Sequence, residues 1–313
     1  MEGRPEDIVP CLRCNNCYHI ASDHWNVGCS VNPHYHNESF VPKGIARANT
    51  GRNVVILGAG PGGMRAAITA FDRGHRVTLV EREDEPGGML RFIARESHKS
   101  EVARLLGHYR AQLAKRDIRV MLGCEATPEL VRALEPEALG IAIGATERRP
   151  DIEGIDGPKV LLATETIMCA DELEGRIVIL GGGSIGCELA LELAERGRQV
   201  LVIEMAHALA GNANALYREA LRQKFELHPN IKVALGNSCT KVSAEHVEYA
   251  DDAGRRQKAA YDHMIVSVGL APQTDLVERF HGIVPDTATI GDCVRPSSIM
   301  NANFEGHTFA LNI

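Results

Sequence analysis

Residues 53–81 read NVVILGAGPGGMRAAITAFDRGHRVTLVE, and residues 176–204 read RIVILGGGSIGCELALELAERGRQVLVIE. In each, a β-branched run ends at a glycine cluster, a stretch with helical apolar spacing follows, and a second β-branched run closes on a glutamate. The first copy predicts a strand, a glycine turn, a helix from about Pro61 to Arg73 and a strand from about His75 to Glu81. The closing glutamate stands 23 residues beyond the first glycine in both copies, and the copies lie 123 residues apart. Two βαβ units in tandem predict an α/β protein with two Rossmann-like, parallel-sheet domains.

The glycines fall where a bound pyrophosphate needs them. Gly58 permits the tight turn out of the strand, Gly60 lets backbone approach the phosphates, and Gly63 allows the helix to pack closely on the sheet. The helix N-terminus then receives the phosphate charge. Glu81 ends the second strand, where a carboxylate accepts hydrogen bonds from both ribose hydroxyls of an adenosine. Gly181, Gly183, Gly186 and Glu204 read the same way. Glu204 repels the 2′-phosphate of NADP(H), and Met205-Ala206-His207 offers no arginine to attract one, so the second unit is expected to take NAD(H) in preference to NADP(H). Arg82, beside Glu81, has two readings: a contact to the first nucleotide, or a solvated surface charge.

Between the copies, residues 100–117 have helical spacing, IRVML (118–122) and ALGIAIG (138–144) read as strands, and Pro150, Gly154, Gly157 and Pro158 mark a connection. After the second copy, residues 215–227 read as a helix and 240–269 as short strands with a turn at Asp251–Gly254, before the TATIGDC segment and a last helix. Of the 313 residues, 44% are hydrophobic and 24% charged, a globular balance that excludes disordered, collagen-like and small disulfide-stapled classes. No run of about 18 apolar residues occurs, and the start MEGRPEDIVPCLRC lacks a basic region followed by an apolar one, so a cytoplasmic protein without a membrane partner is expected. The net charge of −7, with no block of basic residues, leaves nucleic acid without an electrostatic footing.

Residues 1–44 differ in character: four cysteines, four histidines (His19, His24, His34, His36), the single tryptophan and little apolar periodicity. Cys11, Cys14, Cys17 and Cys29 follow a C-x2-C-x2-C-x11-C spacing. Three cysteines at three-residue intervals wrap a short loop around one inorganic cube, and a distant fourth closes the coordination. Zinc is the rival, with His19 or His24 replacing a cysteine. His34 and His36 flank no cysteine pair and are read as surface residues. Cys124, Cys169, Cys187, Cys239 and Cys293 are scattered singly, read as small hydrophobes and given no chemistry.

The tandem units resemble the two-dinucleotide-binding-domain flavoprotein superfamily over about residues 50–313. Glu85-Pro86-Gly87-Gly88, the strand-end segments 142–145 and 266–269, and Thr289-Ile290-Gly291-Asp292 match its further motifs. The resemblance implies FAD in the first unit, contacted at Gly88 and Asp292, and a nicotinamide dinucleotide in the second. Many members pass electrons to a CxxC or CxxxxC disulfide beside the flavin; this chain has neither after residue 17, so disulfide reduction is not expected.

The segments IVPCLRCNNC (8–17) and GCSVNPHYHNE (28–38) resemble the iron–sulfur linker of the trimethylamine dehydrogenase and 2,4-dienoyl-CoA reductase flavoenzymes, relatives of old yellow enzyme. That resemblance implies a 4Fe-4S cluster on Cys11, Cys14, Cys17 and Cys29, standing between an FMN-binding TIM barrel and the FAD and nucleotide domains. The barrel would lie before residue 1, so it is expected as another domain or polypeptide, or replaced by a different acceptor. The implied division is a cluster arm over 1–44, an FAD domain over 45–158 and 269–313, and an NAD(H) domain over 159–268; an oligomer is compatible with it. The implied activity passes electrons from NADH through FAD to the cluster, with no catalytic side chain named because the cofactors supply the chemistry. The alternatives are a free-standing NADH-dependent flavoprotein with structural zinc, and a non-redox subunit that holds ADP.

Overall fold

The computed structural model describes residues 3–18, 28–39, 41–42, 44–211 and 213–313. The chain forms two compact units: Met1–Ala94, His98–Thr146 and Pro272–Ile313 make the first, and Arg95–Ser97 with Glu147–Ala271 the second. In the first, five parallel strands lie in the order Thr287–Thr289, Ala138–Ile141, Asn53–Leu57, Arg76–Val80, Arg119–Met121. In the second the parallel order is Val160–Leu162, His263–Val266, Arg176–Leu180, Gln199–Glu204, Ile231–Leu235. This is the α/β architecture that the repeated pattern predicts. A three-stranded antiparallel sheet of Asn237–Val242, His246–Asp251 and Arg256–Ala260 completes the second unit, and its turn falls at the expected 251–254.

Both faces of each parallel sheet are covered, which is why the strands read as unbroken apolar runs rather than alternating ones. Val54 and Ile56 enter one core with Met64, Leu79, Leu105 and Tyr109, while Val55 and Leu57 enter the opposite one with Val80, Ile141 and Phe280. In the second unit Ile177 and Ile179 face one core and Val178 and Leu180 the other. Residues 147–158, read from sequence as part of the first unit, belong to the second: Ile155 is buried beside Val160, Val178 and Val242, and Val242 N–H donates to Glu153 O at 2.8 Å. Helical or strand periodicity carries no mark of which sheet a connecting segment will cover.

Helix Pro61–Asp72 packs on the C-terminal helix Ile299–Asn312. Their backbones approach at two glycines: a methyl on Gly306 would lie 2.2 Å from Gly62 O, and one on Gly62 would lie 3.0 Å from Ala302 O. The N-terminal arm docks on this unit. Val31 is buried in its core, with Leu12 and Cys29 packed against it. The His108 ring is 2.8 Å from Glu6 O, and Lys115 pairs with Glu6 and Asp7. His34, expected at the surface, is half-buried, its ring edge-on to His307 at 5.1 Å, and its Nδ1 is inaccessible to solvent. Its ring partner, on the C-terminal helix, lies far along the chain and leaves no local mark in the sequence. Among the described residues no helix is long and apolar enough to cross a membrane.

Two outcomes follow from this packing. Gly306→Val, which drives a side chain into a backbone carbonyl, is expected to lower stability by about 1–3 kcal/mol in denaturant unfolding. His307, buried on the C-terminal helix with Thr69 Oγ1 3.1 Å from its Nδ1, has its pKa lowered from 6.5 to about 4 by burial, then by the Arg65 charge and His34. The unfolded chain therefore takes up a proton that the fold refuses. The stability contributed by neutral His307 is complete above pH 6.5 and is lost as the pH falls towards about 4. His307→Gln should flatten the stability profile across that window; a profile of unchanged slope would count against the assignment.

Candidate functional site

Each parallel sheet ends in the same construction. Gly58 and Gly181, the first glycines, adopt φ of +94° and +105°, and a methyl on either would lie 2.3 Å from the carbonyl oxygen of Ala142 or Ser267 at the neighbouring strand end. A side chain is excluded there on both counts. Gly60 and Gly183, the second glycines, begin the helices Pro61–Asp72 and Ser184–Glu195 at the N-cap and face open space, with nothing within 4 Å of an added methyl. The third glycines are pressed inward: a methyl on Gly63 would lie 1.9 Å from Gly58 O, and one on Gly186 2.0 Å from Gly181 O. Space is thus left beside the helix N-terminus and removed behind it, which suits an anionic group seated on free N–H donors.

The two closing glutamates are held alike. Glu81 Oε2 accepts from Ala59 N–H at 2.6 Å and its Oε1 from Glu83 N–H at 3.0 Å. Glu204 Oε2 accepts from Gly182 N–H at 2.5 Å and its Oε1 from Ala206 N–H at 2.7 Å. Each carboxylate ties the glycine turn to the end of the second strand. Each oxygen also keeps a lone pair for a further donor, so the same residue can orient the turn and accept from a ribose. The expected contact function gains a structural one that sequence reading did not give it.

Around the first turn, Gly88 lies against Gly60: a methyl on it would be 2.9 Å from Gly60 Cα, and Gly87 N–H donates to Ala59 O at 2.8 Å. Arg82 is exposed and pairs with Glu83 at 3.3 Å, whereas Arg91, which sequence reading passed over, is largely buried and reaches Glu83 at 3.0 Å and Glu85 at 3.7 Å. Asp292 stands in a short 3-10 turn, Gly291–Cys293, where Ser297 N–H donates to its Oδ1 at 2.9 Å and burial raises its pKa. Around the second turn, His207 pairs with Asp252 at 3.1 Å, both exposed.

All nine cysteines are free of disulfides. Cys187 and Cys293 are buried; burial pushes the Cys187 thiol up to about 12 and raises Cys293 as well, so neither is a nucleophile. In the arm, Arg13 and Asn15 adopt φ of +52° and +59° between the cysteines, curling the loop, and Arg13 N–H donates to Cys11 Sγ at 3.4 Å. Cys14 Sγ is 3.2 Å from Ser30 Oγ. Four thiols, one accepting from a backbone N–H and one beside a hydroxyl, make a donor set suited to an iron–sulfur cube. Among the described residues no three His, Cys, Asp or Glu side chains converge on a point that would hold one ion. His19 and His24, the proposed zinc substitutes, lie outside the described residues.

The pyridine nucleotide-disulphide oxidoreductase family matches residues 52–306, from the first strand to the C-terminal helix. The chain belongs to this family. It is an oxidoreductase whose family cofactors are FAD and NAD(H). Bilirubin reductase of Mediterraneibacter gnavus is 29% identical over 312 residues, covering 99% of this chain and 48% of that protein. NADH oxidase of Thermoanaerobacter brockii is 28% identical over 319 residues, covering 100% and 49%. Among solved structures, a 2-naphthoyl-CoA reductase superposes on 100% of this chain and 47% of its own with a TM-score of 0.92 at 30% identity. The chain thus spans about half the length of the relatives it matches. Among family members, pairs of glycines that differ in what stands behind them make a direct test. Gly183→Val should leave the unfolding midpoint unchanged yet weaken NADH binding tenfold or more, about 1.4 kcal/mol. Gly186→Val should instead destabilise the second unit, and equal effects of both on NADH titrations and melting would contradict the geometry.

Proposed function

We propose that this chain is the electron-input half of a reductase: NADH binds the second unit, FAD the first, and the arm carries a 4Fe-4S cluster that serves an FMN-binding barrel, fused or separate, or another acceptor. The observation that carries the reading is the same turn, helix and carboxylate built twice in one chain, with a four-cysteine arm docked on the first copy. Relatives of about twice the length with reductase and oxidase activities support a further domain or partner for this half.

When bound, the nicotinamide and flavin supply hydride transfer and the cluster supplies one-electron transfer. The chain's own residues bind and orient. Gly60 and Gly183 admit the pyrophosphates to the N-termini of their helices, whose positive dipole ends face that charge. Glu81 and Glu204, clamped by backbone N–H groups, would accept from the riboses, and Gly88 and Asp292 would be FAD contacts. NAD(H) would be preferred to NADP(H) because the Glu204 carboxylate would repel a 2′-phosphate, and His207, three residues on, pairs with Asp252. Cys11, Cys14, Cys17 and Cys29 are the cluster ligands. No cysteine pair spaced as CxxC or CxxxxC follows residue 17, so electrons leave by a route other than a disulfide.

Anaerobically purified protein should show a flavin band on a broad iron–sulfur absorbance, both bleached by one equivalent of NADH. Cys14→Ser should lose iron and keep FAD. A flavin-only spectrum with stoichiometric zinc would replace the cluster by a structural metal, and a spectrum unmoved by NADH would overturn the electron-input reading.

A further inference from the structure

Ser30, next to Cys29, is 4% exposed, and its hydroxyl is 3.2 Å from Cys14 Sγ. Between a hydroxyl and a protonated thiol either can donate. The Asn16 carboxamide donates to Ser30 Oγ at 3.0 Å, filling one of the two acceptor positions of the hydroxyl. A ligating Cys14 is a thiolate with no proton to give, so Ser30 is then the donor.

The backbone of Ser30 is fixed from three helices of the first unit. Asn303 Nδ2 on the C-terminal helix donates to Ser30 O at 2.6 Å. Asn303 Oδ1 accepts from the Tyr109 hydroxyl and, at 3.4 Å, from Arg65 Nε. Tyr109, on helix Ser100–Ala114, is fully buried, and burial raises its pKa, so it stays a donor. Arg65, on the helix that opens at Gly60, stacks over the Tyr109 ring at 5.6 Å and donates to Val31 O at 3.1 Å. One hydrogen-bonded chain therefore runs from the helix of the first glycine turn through Asn303 and Ser30 to the Cys14 sulfur.

We propose that Ser30 is a positioning residue of the cluster site: it donates a hydrogen bond to the Cys14 thiolate and thereby raises the reduction potential of the cluster, its place being set by Asn303, Tyr109 and Arg65. The proposal rests on the cluster reading given above. Reduction adds one electron to the cluster, and an O–H dipole aimed at sulfur stabilises the more negative state more strongly. The hydroxyl keeps its hydrogen in both states, so no proton is transferred.

The test is a potentiometric titration of the full-length chain, followed by the electron paramagnetic resonance of the reduced cluster after iron and sulfide have been quantified. Ser30→Ala is expected to keep its iron and to lower the midpoint by up to a tenfold change in the reduction equilibrium, about 59 mV for a one-electron couple. Ser30→Thr, which keeps the hydroxyl, should titrate as the wild type does, and Asn16→Ala should shift less than Ser30→Ala. An iron-containing Ser30→Ala protein with the wild-type midpoint overturns the assignment. Should Ser30→Ala lose its iron, the wild-type protein decides: an iron–sulfur stretching band in resonance Raman that shifts in deuterated water supports the O–H donor, and one that does not shift overturns it. Absence of iron from the wild-type chain overturns the cluster reading itself, and the role of Ser30 with it.

Discussion

The contact on which both units depend is the one between the third glycine and the carbonyl of the first. With Gly63 seated on Gly58 O and Gly186 on Gly181 O, no side chain fits between helix and turn, so the helix starts directly at the end of the strand. That closeness leaves the N–H groups of the first turn facing outwards beside Gly60 and Gly183, where there is room. The clamp of Glu81 on Ala59 N–H and of Glu204 on Gly182 N–H then holds the turn against the neighbouring strand. The open space beside each helix N-terminus is, in this protein, the remainder left after backbone packing has been satisfied.

The arm is held by different physics. Among the described residues its apolar contacts to the first unit's core are made by Val31, Leu12 and Cys29, and polar contacts join them. Buried polar groups are costly unless each finds a partner. Ser30, Asn303, Tyr109 and Arg65 meet that condition through one another, and the result is a docking geometry with direction as well as strength. Directional bonds fix the arm's position where a purely apolar contact would leave it free to slide.

Much of this could be read from residues alone, and the particular failures are instructive. The strand, turn and helix of 53–81 and 176–204 follow from local periodicity and from glycines whose spacing has one economical explanation. The short strands after residue 240 and the turn at Asp251–Gly254 were legible, whereas their antiparallel pairing was not. The ownership of residues 147–158 was not, since Ile152 and Ile155 would suit either core. Nor was the burial of His34, whose ring meets His307 far along the chain, or that of Arg91, which shares Glu83 with the exposed Arg82.

The two glycine turns, the class of sheet and the four-cysteine spacing were written in the residues, because each is a short-range pattern. What surrounds the sulfur atoms and which way the carboxylates are held came from long-range packing alone. Asn303 meets Ser30 across 273 residues and Tyr109 across 194, and no local pattern marks such pairs. Partners of that kind are selected when packing withdraws water from them and leaves each with one donor or acceptor in reach.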